Sequence, residues 1–366
     1  MVYLVKASAS PQNYDAWICG GTIVSPLYIV TSAACVEDVQ YMYVIAGYNK
    51  YVKYDDINQN QCTKNRKKKV VYTCVPKAYD FEYEKLEKWA FIDLGVVKVE
   101  SPYDFNDESY KNDCSYPPAP ITINYEPKYQ APGLDALVLG WGHSEIWRNP
   151  SDNKDYNQED LHYASTLLEE KELCKEAYSN VPKMDQIIDR YMICTNNPGN
   201  IDDSGNLIVT NKPLADGCFD FNQDGNDTIP LECIDTLFPS EDTRKGMNIT
   251  NRITRRHGIC QNDHGGPIIT WLGTHEILIG VASVFRVTNE SKCEGPYLFT
   301  STQCNGAFLD CVVNGENSTR RSLCNKPPAE RGFHMIQRTI SWTHHPDGPA
   351  ENEIMRLRPV LPIRGR

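Results

Sequence analysis

Asp220, Asn222 and Asp224, with Gly225 after them, set hard oxygen ligands at alternate positions ahead of a residue that permits a sharp turn. That is the opening of an oxygen-ligand calcium loop. The bidentate acid belongs at the twelfth position, which is Leu231, while Glu232 lies one further on. Cys218 and Cys233 flank the segment and would stiffen it if joined. A sequon at Asn226 argues against metal, because a glycan there would crowd the ligands. A polar, glycosylated insertion is therefore the first reading, and calcium the second. His257, His275, His344 and His345 show no metal-ligand spacing, and no Cys-x-x-Cys pair suggests a zinc ribbon. Surface or capping roles are expected for these histidines, and no resident metal or other cofactor is expected. Arg255-Arg256 and Arg320-Arg321 are candidate processing sites.

A net charge of −11 disfavours nucleic acid or an anionic membrane as partner. The basic run Arg66-Lys67-Lys68-Lys69 is local and precedes a β-like stretch, so it reads first as a solvated strand edge and second as a docking patch for an acidic partner. Fourteen cysteines spread over 366 residues point to disulfides and an oxidising compartment. Sequons at Asn226, Asn248, Asn289 and Asn317 point the same way. No run of about 20 apolar residues is present, so no transmembrane helix is expected. Met1-Val2-Tyr3-Leu4-Val5 lacks a basic flank and a cleavage site, and reads as a strand rather than a signal peptide. The true amino terminus is expected to lie upstream.

The elements that would hold any site are mostly strands. β-Branched and aromatic runs recur at 1–6, 21–24, 28–31, 41–46, 70–75, 94–99, 136–139, 193–194, 267–271 and 277–285, with Gly, Pro, Asn or Asp between them. Helical signal is scarce, with 169–178 the best candidate. The pattern predicts an all-β, antiparallel barrel protein.

Specific segments sharpen this. Cys19-Gly20-Gly21-Thr22 runs to Thr31-Ser32-Ala33-Ala34-Cys35, and Asn262-Asp263-His264-Gly265-Gly266-Pro267 follows much later. Between and after them stand Ile92-Asp93-Leu94-Gly95, Leu139-Gly140-Trp141-Gly142, Met192-Ile193-Cys194 and Gly280-Val281-Ala282-Ser283. In order and rough spacing these resemble the chymotrypsin/trypsin-like serine proteases, over residues 1 to about 310. The resemblance implies a double six-stranded antiparallel β-barrel, with a long polar insertion at 197–256 inside a domain of 1–313, and a C-terminal extension at 314–366 that wraps the barrel or stays partly disordered. It also implies bridges Cys19–Cys35, Cys174–Cys194 and Cys260–Cys293. For the remaining cysteines, Cys218–Cys233, Cys62–Cys74 or Cys62–Cys114, and two among Cys304, Cys311 and Cys324 are open alternatives.

At the family's triad positions the resemblance places Ala34 for the general base, Asp93 for the orienting acid and His264 for the nucleophile. Acyl transfer by that mechanism needs a hydroxyl beside an imidazole, and neither stands where expected. Asn262 replaces an oxyanion-hole glycine, and its side chain is expected to disturb the donors. Asp93 is read first as a buried structural carboxylate, and second as a partner of His264 or as sharing a metal with it, for which no further ligands stand out. Asp263, which pairs with a cleaved terminus in activated family members, is left without an assigned partner. Gly258 falls at the floor of the specificity pocket and Ser283 on its lining strand, with Phe285 and Tyr297 on walls that are usually glycine, so no deep pocket is expected.

The expectation is a secreted homologue without proteolytic activity, most similar to insect-type protease homologues. The resemblance implies a cofactor, adaptor or decoy that binds extracellular proteins, among them active proteases or their zymogens. The absence of a preceding clip-like cysteine module weakens the cascade-cofactor version. The alternatives are residual or atypical hydrolysis using His264, and a structural or calcium-dependent secreted protein.

Overall fold

Strands rich in Val, Ile and Tyr, each ended by turn residues, close here into two antiparallel barrels. The computed structural model describes residues 1–7, 16–37, 39–80, 82, 84–206 and 258–348. The first barrel uses β1 (Val2–Lys6), β2 (Ile18–Ile23), β3 (Tyr28–Thr31), β4 (Met42–Ala46), β5 (Lys68–Pro76) and β6 (Gly95–Val99). They run in the order β5-β4-β1-β2-β3-β6, and β5 pairs with β6 to close the ring. After the short β7 (Thr122–Ile123) come β8 (Asp135–Gly140), β9 (His162–Glu169), β10 (Met192–Pro198), β11 (Pro267–Leu272), β12 (His275–Val287) and β13 (Cys293–Ser301). These six close through β11–β12 pairing, and β7 adds in parallel to β12.

Alternating inward residues fill each barrel: Val2, Leu4, Ile29, Val44 and Val97 in the first, Ala136, Val138, Ile268, Ile279 and Phe299 in the second. Tyr3 and Trp141 meet edge-to-face at 4.9 Å between ring centroids, joining β1 to the end of the first strand of the second barrel.

The strand expectations match in position, but β7, β9 and β13 are additional, as are several helices, Ala33–Glu37, Met184–Tyr191 and Gly306–Asn314 among them. The candidate helix at 169–178 is Lys171–Ala177. Bridges join Cys19–Cys35, Cys62–Cys114, Cys174–Cys194, Cys260–Cys293 and Cys311–Cys324. Cys74 is buried with a free thiol against the Met335 sulfur at 3.7 Å, so the Cys62–Cys74 alternative falls, and Cys304 is a free, exposed thiol.

Past residue 314 the chain first packs on the helix Gly306–Asn314, through Cys311–Cys324 and Phe308–Phe333, and from Met335 lies along the first barrel. Strand β14 (Met335–Thr339) pairs antiparallel with β5, from Met335 opposite Pro76 to Thr339 opposite Tyr72. Beyond it Trp342 is 5% exposed, and its Nε1–H donates to the Val70 carbonyl at 2.8 Å. Of the surface and capping roles expected for it, His345 does not have the first, being buried. It lies between Tyr41 and Trp342, and its Nδ1 accepts the Asp347 N–H at 3.0 Å. His275 and His344 are exposed.

Candidate functional site

A close glycine approach brings the barrels together. A Cβ on Gly20 would stand 2.5 Å from the Gly266 Cα, and the Gly20 N–H donates to the His264 carbonyl at 2.8 Å. Only glycine permits that approach between β2 and the turn before β11. The turn 262–266 is thereby pinned over the helix carrying Ala34, and over the loop carrying Asp93 at the mouth of β6.

Asp93 is fully buried, and a buried carboxylate needs donors. It has three. Oδ1 accepts the Ala34 N–H at 2.9 Å, while Oδ2 accepts the Ser283 hydroxyl at 2.8 Å and the His264 Nε2–H at 2.5 Å. The residue before it, Ile92, has φ of 56°, an unusual conformation for a β-branched side chain. Asp93 is thus both buried among donors and partnered by the imidazole from position 264, which reaches across the junction. The His264 side chain is 21% exposed and packs near Trp89 at 5.9 Å. Ser283, the hydroxyl that shares Asp93 with this imidazole, is 2% exposed and directs its proton to the carboxylate. Among the described residues no cluster of three metal-ligating side chains exists.

Asn262 takes φ of 73°, the left-handed conformation that glycine supplies most easily and asparagine tolerates. Its side chain turns away to donate to the Ala16 carbonyl at 3.1 Å and to Asn157 Oδ1 at 2.9 Å. Among the described residues, the backbone N–H groups of Asn262 and His264 donate to no protein acceptor. Asp263 is buried, and its two oxygens accept the Gly142 N–H and the Cys260 N–H, each at 2.9 Å. Beside it His143 is buried, with Nδ1 against the Ile146 carbonyl at 2.8 Å, and burial holds its pKa below the usual histidine range.

Tyr297 closes the deep pocket. A Cβ on Gly258 would fall 2.2 Å from its ring, and Tyr297 is 8% exposed. Phe285 does not add to that plug. It stands half-buried near Trp147 at 5.8 Å, on the wall of a separate cavity of about 390 Å³. Trp17, Trp89, Trp147, the Cys19–Cys35 bridge, Gln261, Asn262, His264 and Ser283 complete that wall. Sequence reasoning named Phe285, Ser283, Asn262 and His264 but missed the three tryptophans, which belong to no motif. Asn289 and Asn317 are exposed, whereas Asn226, Asn248, Asp220, Asn222, Asp224, Cys218, Cys233, Arg255, Arg256 and His257 lie outside the described residues.

Two closed six-stranded barrels with a site at their junction define the trypsin-like fold. The trypsin family model matches residues 3–219, more than half of the chain, and the chain belongs to that family. It is 27% identical over 126 residues to snake venom serine protease 2B of Craspedocephalus gramineus, covering 34% of this chain and 39% of that protein. It is 26% identical over 133 residues to the thrombin-like enzyme flavoxobin of Protobothrops flavoviridis, covering 35% and 42%. To venom serine protease 34 of Apis mellifera it is 24% identical over 134 residues, covering 35% and 29%. The chain thus spans less than half the length of these relatives. Among solved structures, the scabies mite inactivated protease paralogue S-D1 aligns with a TM-score of 0.48 and 17% identity, over 86% of this chain and 92% of that one.

Proposed function

We propose that this chain is a secreted, non-catalytic member of the trypsin family that acts by binding extracellular proteins, as cofactor, adaptor or decoy toward proteases or their zymogens. The observation that carries the reading is the engagement of His264 with Asp93. Its imidazole donates to a carboxylate already shared with Ser283, and among the described residues no hydroxyl is placed to be activated by it. Ala34 contributes only a backbone N–H. Loss of either nucleophile or base costs on the order of 10⁶ in rate in such triads. Tyr297 over Gly258 also removes the volume into which a substrate side chain would enter.

The bridges and the exposed sequons at Asn289 and Asn317 support the extracellular assignment. The test is incubation of the purified protein with mixed peptide substrates and a serine-directed phosphonate probe. Neither cleavage nor labelling is expected. Saturable cleavage, whether lost on His264→Ala or surviving it, or labelling lost on Ser283→Ala, defeats the reading.

A further inference from the structure

The cavity beside His264 has a composition that selects its ligand. Its walls are aromatic and aliphatic: Trp17, Trp89, Trp147 and Phe285, with the Cys19–Cys35 bridge between them. Among the described residues, no lysine, arginine, aspartate or glutamate lines it. Asp93 is buried behind the wall, with its oxygens already accepting from Ala34, Ser283 and His264. A cationic ligand would find no free carboxylate to offset its desolvation. An anionic ligand would approach the buried negative charge of Asp93 with no lysine or arginine among the lining residues, Lys6 Nζ standing instead over the Trp17 ring at 4.9 Å.

The polar groups that remain are neutral and of both kinds. The backbone N–H groups of Asn262 and His264 are donors without a protein partner among the described residues. With Nε2–H on Asp93, the Nε2–H tautomer of His264 leaves Nδ1 as an acceptor. Gln261 receives the Arg148 N–H on Oε1 at 2.9 Å, which leaves its NH₂ as a further donor. A group that accepts through one atom and donates through the adjacent one satisfies this set, and an amide is such a group. At about 390 Å³ the cavity falls in the range of small-ligand sites, roughly 300–1,000 Å³, and takes one large side chain with its amide.

We infer that this cavity binds an uncharged apolar residue through its amide, with the side chain between the tryptophans and Phe285, and not in the deep pocket that Tyr297 fills. The occupant is a polypeptide segment presenting a neutral aromatic or large aliphatic residue. It is not the basic residue for which a trypsin-like site would carry an acid at its floor. This assignment rests on the non-catalytic reading, since the ligand stays intact.

Three probes separate the possibilities: N-acetyl-phenylalaninamide, N-acetyl-phenylalanine and N-acetyl-lysinamide, each titrated into the full chain by calorimetry and by its tryptophan fluorescence. The neutral amide is expected to bind at least tenfold more tightly than the acid or the lysine derivative. His264→Asn should weaken the amide about fivefold or more, and Phe285→Ala should weaken both phenylalanine ligands alike. Thermal melts of both variants, matching the parent within a few degrees, establish that they are folded. If a variant fails that check, the order of the three probes on the parent still decides. Equal affinities, tighter binding of acid or lysine derivative, or no binding at all overturn the assignment. Chromatography of the same mixtures reads the other question: conversion of amide to acid defeats the non-catalytic reading, whatever the order of affinities.

Discussion

The Asp93–His264 bond can be weighed by a double-mutant cycle at pH 7 on four disulfide-intact proteins: parent, Asp93→Ala, His264→Ala and the double variant. His264→Ala leaves a fully buried carboxylate with two donors in place of three. A hydrogen bond to a charged group is worth about 1.5–3 kcal/mol, and that is the expected loss. Asp93→Ala strands the Ser283 hydroxyl, which is 2% exposed, at about 1–3 kcal/mol, and loses the charged acceptor of the Ala34 N–H. Its effect on His264 is smaller, because that side chain is 21% exposed and turns to water. Once Asp93 is gone, removing His264 should cost almost nothing. The expected coupling is therefore about 1.5–3 kcal/mol, read from urea midpoints with the slopes held equal. Additivity within about 0.5 kcal/mol would refute the claim that the imidazole serves the carboxylate.

Ala34→His with His264→Ser should yield little turnover of chromogenic arginine or phenylalanine substrates, because Tyr297 still covers Gly258; adding Tyr297→Gly should raise it, and strong turnover in the double variant alone would show that the pocket is misread. Trp342→Ala should cost about 3–5 kcal/mol in urea unfolding, since it removes a buried indole and its bond to Val70; a loss under about 1 kcal/mol would mean the extension adds nothing to the barrel. Burial lowers the pKa of both His143 and His345 below 6.5, so the unfolded chain binds more protons, and stability should be full above about pH 6.5 and fall below it. His345→Gln should flatten part of that fall; unchanged midpoints from about pH 7.5 to about pH 5 would contradict it.

The barrels were legible because their strands are continuous β-branched runs, such as Tyr28–Thr31 and Pro267–Leu272, bounded by turn residues. Strand β9, HYASTLLE, escaped because Ala164, Ser165 and Thr166 are small buried residues rather than an apolar alternation. Helix Met184–Tyr191 carried a readable signal in Met184, Ile187 and Ile188, three buried residues at helical spacing. Strand β14 sits at the sheet margin, and its MIQRT pattern is half-exposed to exposed, so its pairing with β5 had no marker in the sequence. The site divided the same way. Motif order located Asp93 and His264, but their contact spans 171 residues and depends on the glycine approach at Gly20 and Gly266. The tryptophan walls come from separate stretches of the chain, and only the fold gathers them.

Why a histidine at position 264 suits this scaffold follows from the carboxylate. Asp93 lies at zero exposure between two barrels, where an unpaired charge would cost several kcal/mol. With Ala34 offering only its backbone N–H, a side-chain donor must come from another element, and the turn at 264 is the one held against the same junction by Gly20. An imidazole there is long enough to reach Oδ2, as the 2.5 Å contact shows. The shorter side chain of serine in its place would leave Asp93 with two donors, and a lysine would bring a full charge to an apolar cavity. Positions 34 and 264 are on this account coupled: the imidazole at 264 gives Asp93 a side-chain donor that Ala34 does not. In an Ala34→His variant the introduced imidazole should therefore compete with His264 for Asp93, and this single variant should be no more stable than the parent in urea. A gain of more than about 1 kcal/mol would separate the two positions and leave His264 without this explanation.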